Sequence, residues 1–278
     1  MSVCIAAVVC GAMFGDNLSM ISDTTIAAVK TQGCEMKDKF RENFRIVLPA
    51  ALVTVVLFWI VTRDGSYEMT GALPYNAWQV LPYVLVLVGA LIGINVFVVL
   101  VTGTVTSLVI GVATGSLAVG EMFSAVGEGV TGMYDITVIS IVVAGIVSLV
   151  REYGGIQFIL GLIRKSIRGK RGAEAGIAGL ALLVDLCTAN NTVAIVMAGP
   201  IAKEISEEFQ VSPRRSASLL DIFTSVGQGL IPYGAQLLSA ASLTGLTPFE
   251  IIPHLYYPVL MAVSAVLFII FRKSRIEG

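Results

Sequence analysis

Apolar runs alternate with short charged segments along most of this sequence, and several runs are long enough to cross a lipid bilayer. A hydrocarbon core about 30 Å thick needs roughly 20 apolar residues per helix. Two apolar segments, 2–30 and 216–245, contain polar residues near their centres and are predicted to be broken helices. The predicted fold class is an all-α, polytopic membrane protein. Its uninterrupted spans are predicted at residues 46–62, 79–101, 104–120, 135–150 and 254–271.

The positions of the basic residues give these spans an orientation. Loops rich in Lys and Arg stay in the cytoplasm, and of the 18 Lys and Arg residues all except Arg63 lie in four segments. These four segments fall on one side only if residues 172–202 enter and leave the membrane from the cytoplasm. We therefore predict a re-entrant hairpin at 172–202 and a cytoplasmic C-terminus in a multi-pass protein of the cell membrane. The basic segments are 30–45, 151–171, 203–215 and 272–278.

The same map predicts where single charges lie. Every basic residue falls in a loop or at the end of a span, so no buried Lys or Arg is expected. Glu174, at the start of the predicted hairpin, is expected to pair at the surface with Lys170 or Arg171. Asp221 lies near the cytoplasmic end of its helix, where contact with solvent is one interpretation.

Composition narrows the class of partner. The chain of 278 residues is 56% hydrophobic and 13% charged, with a net charge of −1 and a mean hydropathy of +0.87. Soluble domains carry about 25% charged residues, so the lipid bilayer is the expected partner and nucleic acid is not. The four cysteines form no CxxC pair and His254 is the single histidine. Neither a zinc site nor a disulfide framework is therefore expected, and no cofactor is predicted.

A weak internal repeat relates the two broken helices. A shift of 212 residues places Gly15 on Gly227 and Gly33 on Gly245. The charge map gives the two copies opposite directions, an inverted arrangement found in many secondary transporters. Residues 1–62 are then the end of a first repeat, and residues 63–278 form the second. We expect a fragment of a longer chain, with a separate N-terminal half and a second copy in a homodimer as candidate protein partners.

Three polar clusters lie inside the apolar surroundings, at residues 15–25, 185–192 and 221–236. An Asp at the bilayer centre costs about 2.5–3.5 kcal/mol on insertion scales, so such residues usually face a cavity or a partner. The side chains present supply oxygen ligands, which suit a hard cation such as Na⁺. The structural alternatives are that Asp16 and Asp23 cap the half-helix that follows them, and that Asp185 pairs with a neighbouring amide.

The run Gly15–Thr25 and the following Thr31–Phe40 resemble the signature of the NhaC family of sodium/proton antiporters. The runs Thr188–Thr192 and Gly227–Gly234 resemble later motifs of that family, and the likeness covers the whole chain. The resemblance implies inverted repeats, paired re-entrant hairpins and broken helices around a central site, with an elevator-like motion. It also implies that a first-repeat hairpin, which helps to form the site, lies before Met1.

The leading hypothesis is Na⁺/H⁺ antiport across the cell membrane. Asp16 is the residue expected to alternate between Na⁺ and H⁺, because a carboxylate buried away from water holds a proton more readily. Na⁺ itself is expected to be held through Asp16, Asn17, Asn190 and Thr192. The candidate ion- or substrate-binding residues are Asp16, Asn17, Ser19, Asp23, Thr24, Asp185, Thr188, Asn190, Asn191, Thr192, Gln228 and Gln236.

Three alternatives remain open at this point. Ion-coupled exchange of an organic acid or amino acid is one, since NhaC-type proteins are thought to include malate/lactate exchangers; the expected lack of a buried basic residue favours a cation instead. An intramembrane enzyme is disfavoured because Asp135 lies at a loop edge and His254 lies far from the polar clusters. The third alternative is an inactive fragment that requires the missing N-terminal part.

Overall fold

The computed structural model describes residues 1–19, 22–63, 76–92, 94–132 and 169–271, together with isolated positions between 134 and 167. All regular structure in this part of the chain is helical. The chain divides into two compact units, one formed by Met1–Asp64 with Asp135–Gly278 and the other by Gly65–Tyr134. The predicted span at 135–150 lies largely outside the described residues.

Nine helices belong to the first unit and three to the second, counting α-helices among the described residues. In the first unit they are α1 (Ser2–Asn17), α2 (Asp23–Gln32), α3 (Met36–Thr62), α7 (Gly169–Thr188), α8 (Asn191–Glu208), α9 (Pro213–Leu230), α10 (Ala235–Thr244), α11 (Pro248–Ile251) and α12 (Tyr256–Phe271). In the second unit they are α4 (Leu81–Ile92), α5 (Val96–Ala113) and α6 (Met122–Gly132).

The first predicted broken helix is present as α1 and α2. Helix α1 ends at Asn17, and α2 begins after Ser22, whose side chain accepts a hydrogen bond from the Thr25 amide at 3.3 Å. A serine at this position satisfies one of the amides that a helix start leaves open. Gly33 ends α2 in the left-handed conformation, with φ of 71°, which glycine adopts without steric cost.

The second broken helix, α9 and α10, repeats these boundaries. Pro232 lies in the break between α9 and α10. The preceding Ile231 is extended, as the residue before a proline usually is. The shift of 212 residues that relates the sequences carries α2 onto α10 end to end, and both helices stop at a left-handed glycine with φ of 71°. The same shift carries the first residue of α3 onto the first residue of α11. The repeat therefore extends from sequence to helix boundaries.

Helices α7 and α8 form the hairpin, and they pack against each other across the short connection Ala189–Asn190. Ala189 has a positive φ of 48°, and the Asn190 side chain accepts the Val193 amide at 3.0 Å to start α8. The hairpin also packs on α2 and α9. The segment 172–202 thus contains two helices with a central break, and its re-entrant placement in a membrane stays a prediction.

In the second unit, the predicted boundary between the spans 79–101 and 104–120 is wrong. The spans expected at 79–101 and 104–120 do not separate near residue 102, because α5 runs without a break from Val96 to Ala113. The chain turns instead just before Asn95, whose side chain accepts the Phe97 amide at 3.0 Å. This asparagine starts a helix inside the expected span, and the apolar pattern alone gives no sign of it.

Helix α3 is, within the described residues, the one continuous helix long and apolar enough to cross a membrane, with 27 residues. The helices from Pro248 to His254 and from Tyr256 to Phe271 qualify together, with a bend of 50° between them. One face of α3 exposes Leu52, Val55 and Trp59. Soluble proteins rarely expose so continuous an apolar surface, so this face fits contact with lipid.

Helix α9 lies at the centre of the first unit. Its residues from Arg215 to Gly229 are all buried, and it packs on α2, α3, α7, α8 and α12. Burial all round a helix normally goes with an apolar sequence, yet this buried stretch of α9 contains Arg215 and Asp221. These two charges therefore need partners from the helices around them.

Candidate functional site

The polar residues of α9 meet the ends of α1 and α2 and the start of α3. We name this group the aspartate–lysine centre, after its charged members. It consists of Asp16, Asn17, Lys39, Asn43 and Asp221.

Lys39 and Asp221 form a buried ion pair. The Lys39 Nζ lies 2.9 Å from the Asp221 Oδ2, and each side chain is 1% exposed. The ammonium also donates to the Thr25 Oγ1 at 2.6 Å. Two predictions were wrong here, because Lys39 was expected in a loop and Asp221 was open to solvent in one interpretation. Helix α3 begins at Met36, early enough to carry Lys39 into the core.

Asn43 lies one turn after Lys39 on α3 and connects Asp221 to the end of α1. Its Nδ2 donates to the Asp221 Oδ2 at 2.7 Å and to the Asn17 carbonyl oxygen at 2.9 Å. The Asn17 Oδ1 accepts hydrogen bonds from Ser225 at 3.4 Å and Tyr257 at 3.2 Å. Within the described residues, the Oδ1 atoms of Asn43 and Asp221 have no hydrogen-bond partner. Two buried oxygens therefore remain open to a further ligand.

Asp16 is the acidic member of this group that lies at the end of α1. It is half-buried, and the Thr24 Oγ1 donates to its Oδ2 at 3.4 Å. Asp16 directly precedes Asn17, whose carbonyl oxygen accepts the hydrogen bond from Asn43. The capping alternative for Asp16 is wrong, because Ser22 occupies the cap of α2. Asp16, Asn17 and Thr24 are thus the predicted site residues that the structure brings together.

Asp23 and Thr192 form a separate link between α2 and the hairpin. The Thr192 Oγ1 donates to the Asp23 Oδ2 at 2.5 Å, while the Asp23 Oδ1 accepts the Thr24 amide at 3.0 Å. Asp23 is exposed and lies in the first turn of α2, where a carboxylate interacts favourably with the helix dipole. The oxygens of Asp23 and Thr192 therefore serve this contact, and their role as Na⁺ ligands stays a prediction.

The remaining candidates around the breaks have local contacts. Ser19 offers its Oγ to the Ser22 amide and its carbonyl to Thr25, at 3.0 and 2.9 Å. Thr188 donates to the Asn190 carbonyl at 3.2 Å, and Asn191 is the half-buried first residue of α8. The Asn190 Oδ1 is occupied by the cap of α8, so its predicted contact with Na⁺ is untested.

Asp185 occupies a second position, against the other end of α9. It is fully buried on α7, and neither carboxylate oxygen makes a hydrogen bond of normal geometry within the described residues. A Cβ atom at Gly227 would come within 2.5 Å of its Oδ2, so the carboxyl lies on bare backbone. Gln228 directly follows Gly227, and within the described residues the Gln228 Oε1 and the Gln236 Nε2 also lack hydrogen-bond partners. Residues 221 and 227 are about 9 Å apart along a helix axis.

Arg215, Glu42 and Glu174 form a third charged group, the arginine cluster. The guanidinium lies 3.1 Å from Glu42 and 3.0 Å from Glu174, and it also donates to the Phe268 carbonyl at 3.0 Å. Glu174 was expected at the surface, and that prediction was wrong, because Arg215 of the buried α9 draws it inward. The cluster joins α3, α7, α9 and α12.

Sequence reasoning missed Lys39, Asn43 and Asp221 as members of the centre, and Ser225 and Tyr257 as the side chains that donate to Asn17. A signal for four of them was present, since Lys39 with Asn43 and Asp221 with Ser225 are spaced four residues apart. That spacing places both members of each pair on one helix face. Tyr257 has no such signal.

A helical fold with broken helices, buried carboxylates and open oxygens is typical of an ion-coupled membrane transporter. Comparison with known families agrees, because residues 69–273 match the Na⁺/H⁺ antiporter family. The match covers more than half of the chain, and the chain therefore belongs to the Na⁺/H⁺ antiporter family. The resemblance to NhaC-type antiporters is confirmed, and the chain is a membrane protein of a transport family.

The chain matches only part of the length of three curated relatives. It is 24% identical to the Na⁺/H⁺ antiporter NhaC of Bacillus subtilis, over 90% of this chain and 62% of that protein. It is 22% identical to NhaC of Alkalihalophilus pseudofirmus, over 96% and 64%. It is 20% identical to the malate-2H⁺/Na⁺-lactate antiporter of B. subtilis, over 90% and 60%. The chain thus spans about three-fifths of these relatives, and no solved structure matches it.

Proposed function

We propose that this chain supplies part of a Na⁺/H⁺ antiporter of the cell membrane, with the aspartate–lysine centre at its ion pathway. The observation that carries the proposal is the buried pair of Asp221 and Lys39, which Asn43 links to the end of α1, where Asp16 lies, in a setting with open oxygens. Buried ionisable residues in membrane proteins usually mark ion or proton pathways. Two of the relatives are named as Na⁺/H⁺ antiporters.

Asp16 is the residue that exchanges Na⁺ for H⁺ in this proposal. Its carboxylate is half-buried and carries one weak hydrogen bond, from Thr24, so it is open to a cation in a way that the paired Asp221 Oδ2 is not. The Asn17 carbonyl and the open oxygens of Asn43 and Asp221 supply neighbouring ligands. Asn190 and Thr192 would join only after leaving their present contacts.

The repeat supports an inverted arrangement of the two broken helices. The shared boundaries of α2 and α10, and of α3 and α11, are what two copies of one unit would produce. In this proposal the copies run in opposite directions through the membrane, with a cytoplasmic C-terminus. A homodimer or a separate N-terminal half would complete the transporter.

The test is proton movement in everted membrane vesicles after addition of Na⁺, for the chain as given and for a form extended through its upstream reading frame. We expect Asp16→Asn to abolish the response in whichever form is active. Asp38→Asn is the matched control, since Asp38 lies on α3 one residue from Lys39 and has no contact within the centre. Full activity of Asp16→Asn would overturn the assignment.

Exchange of an organic acid is the second candidate, and one relative is named as a malate/lactate antiporter. Lys39 is a buried basic residue, although none was expected to neutralise the carboxylate of an organic acid. Its charge is nevertheless compensated by Asp221 at 2.9 Å, and among the residues that the structure describes no other basic side chain pairs with Asp16. The centre therefore favours a cation. Uptake of labelled malate without any response to Na⁺ would reverse this preference.

A further inference from the structure

The aspartate–lysine centre contains three charged side chains. Asp16 and Asp221 each carry one negative charge when ionised, and Lys39 carries one positive charge. The group therefore has a net charge of −1 inside a largely buried part of the protein. A buried charge without compensation is strongly unfavourable. Binding of one positive charge would neutralise this group.

Lys39 is held so that it compensates Asp221 rather than Asp16. Its ammonium is 2.9 Å from Asp221 and 2.6 Å from the Thr25 hydroxyl, and its side chain is 1% exposed. No hydrogen bond or ion pair joins Lys39 to Asp16 among the described residues. The uncompensated charge thus lies at Asp16, which directly precedes Asn17, the residue whose carbonyl oxygen accepts the Asn43 hydrogen bond.

Charged and titratable groups on the neighbouring helices do not change this count. On α2, Asp23 accepts a hydrogen bond from Thr192. Because Asp23 is exposed, solvent screens its charge. On α12, the Tyr257 hydroxyl donates to Asn17 and is neutral. Asp185 of α7 lies against Gly227, about 9 Å along α9 from Asp221. In the arginine cluster two glutamates are balanced by Arg215 and by Arg45, which lies 3.8 Å from Glu42.

We propose that Lys39 is a built-in counter-ion that sets the aspartate–lysine centre to accept one monovalent cation and to reject divalent ones. The inference rests on the proposed function and deepens it, because it assigns a specificity to the same site. With Lys39 in place, a divalent cation would leave a buried excess of one positive charge. Without Lys39, the group would hold two carboxylates and a net charge of −2, which suits a divalent cation and its oxygen ligands.

The test changes the charge count one step at a time. Binding of ²²Na⁺, and its displacement by Ca²⁺, are measured on the purified 278-residue chain in lipid nanodiscs. The variants are Lys39→Met, with a net charge of −2, Asp221→Asn, with a net charge of 0, and the double variant with both changes, with a net charge of −1. The double variant removes the buried pair as a unit, which proteins often tolerate, so it serves even where a single variant fails to fold. Circular dichroism monitors the helix content of each.

We expect Asp221→Asn to weaken Na⁺ binding by about tenfold or more, and Lys39→Met to let Ca²⁺ displace Na⁺ about tenfold more effectively than in the wild type. The double variant should recover Na⁺ binding and lose the response to Ca²⁺. Recovery of Na⁺ binding alone is also expected for a structural pair that is removed as a unit. The readout that a structural pair would not move is Ca²⁺: its stronger displacement of Na⁺ in Lys39→Met, and the loss of that effect in the double variant.

Two results would overturn the inference alone: a Lys39→Met chain that folds and responds to Ca²⁺ as the wild type does, or a double variant that binds Na⁺ no better than Asp221→Asn. A wild-type chain that binds no Na⁺ would overturn the proposed function for this chain, and the inference with it.

Discussion

Asp221 and Asp185 are both fully buried aspartates of the same helical unit, but their surroundings differ. Asp221 has Lys39 at 2.9 Å and Asn43 at 2.7 Å. Asp185 lies on the backbone of Gly227, with no hydrogen bond of normal geometry to either oxygen among the described residues. A negative charge is therefore supported at Asp221 and unsupported at Asp185. Residue type and burial alone do not distinguish these two positions; the neighbouring helices do.

The largest effect is expected from removing the counter-ion of Asp221. Lys39→Met leaves a buried carboxylate without its partner, which costs about 3–5 kcal/mol of unfolding free energy. Adding Asp221→Asn should return most of that loss, because the pair is then removed as a unit. Equilibrium unfolding in mixed detergent micelles measures both variants. A double variant as unstable as Lys39→Met would contradict the pairing.

The two aspartates can be compared directly by the same neutral substitution. Asp221→Asn leaves the Lys39 ammonium unpaired in the core and should cost about 3–5 kcal/mol. Asp185→Asn replaces a carboxyl that has no charged partner and should change the unfolding free energy by about 1 kcal/mol or less. Equal losses for the two variants, measured in the same micelles, would show that the different surroundings of the two aspartates do not affect the unfolding free energy.

An intermediate effect is expected where Asp185 lies against α9. Gly227→Ala introduces a Cβ atom 2.5 Å from the Asp185 Oδ2, and overpacking of this kind costs about 1–3 kcal/mol. Shortening the opposing side chain by Asp185→Ala should reduce that cost in the double variant. A double-variant cycle measures the coupling, and purely additive losses would mean that the two side chains do not meet. Gly11→Ala is the control on α1, where a Cβ atom would meet no neighbour within 4 Å.

The smallest effect is expected at the exposed link between α2 and the hairpin. Thr192→Val removes the hydrogen bond to Asp23 and keeps the side-chain shape, with a loss of about 0.5–1 kcal/mol. Limited proteolysis or hydrogen exchange at the start of α8 would report a local loosening. Unchanged protection there would indicate that the hairpin is held by packing on α2 and α9 alone.

The sequence predicts the broken helices well because their breaks depend on local chemistry. Ser22 starts α2, Gly33 ends it, and Pro232 prevents α9 from continuing into α10. These preferences depend on residues within one turn. The repeat of 212 residues is detectable for the same reason, since equivalent breaks need equivalent residues.

The charged partners could not be predicted in the same way. Counting Lys39 and Arg215 as loop residues gives a consistent charge map, yet both side chains lie in the core. Their burial depends on Asp221, Glu42 and Glu174, which belong to other helices far away in the sequence. A hydropathy window contains no information about such pairing. The position of Asp185 against Gly227 likewise depends on how α7 packs on α9.

Helix α9 has a consequence for how the protein is made. Its fifteen consecutive buried residues, from Arg215 to Gly229, include Arg215 and Asp221, and each such charge costs about 2.5–3.5 kcal/mol when a helix inserts alone. The partners Lys39, Glu42 and Glu174 all precede α9 in the chain, so they leave the ribosome first. We expect α9 to enter the bilayer only alongside them, which makes its insertion a late and cooperative step of biosynthesis.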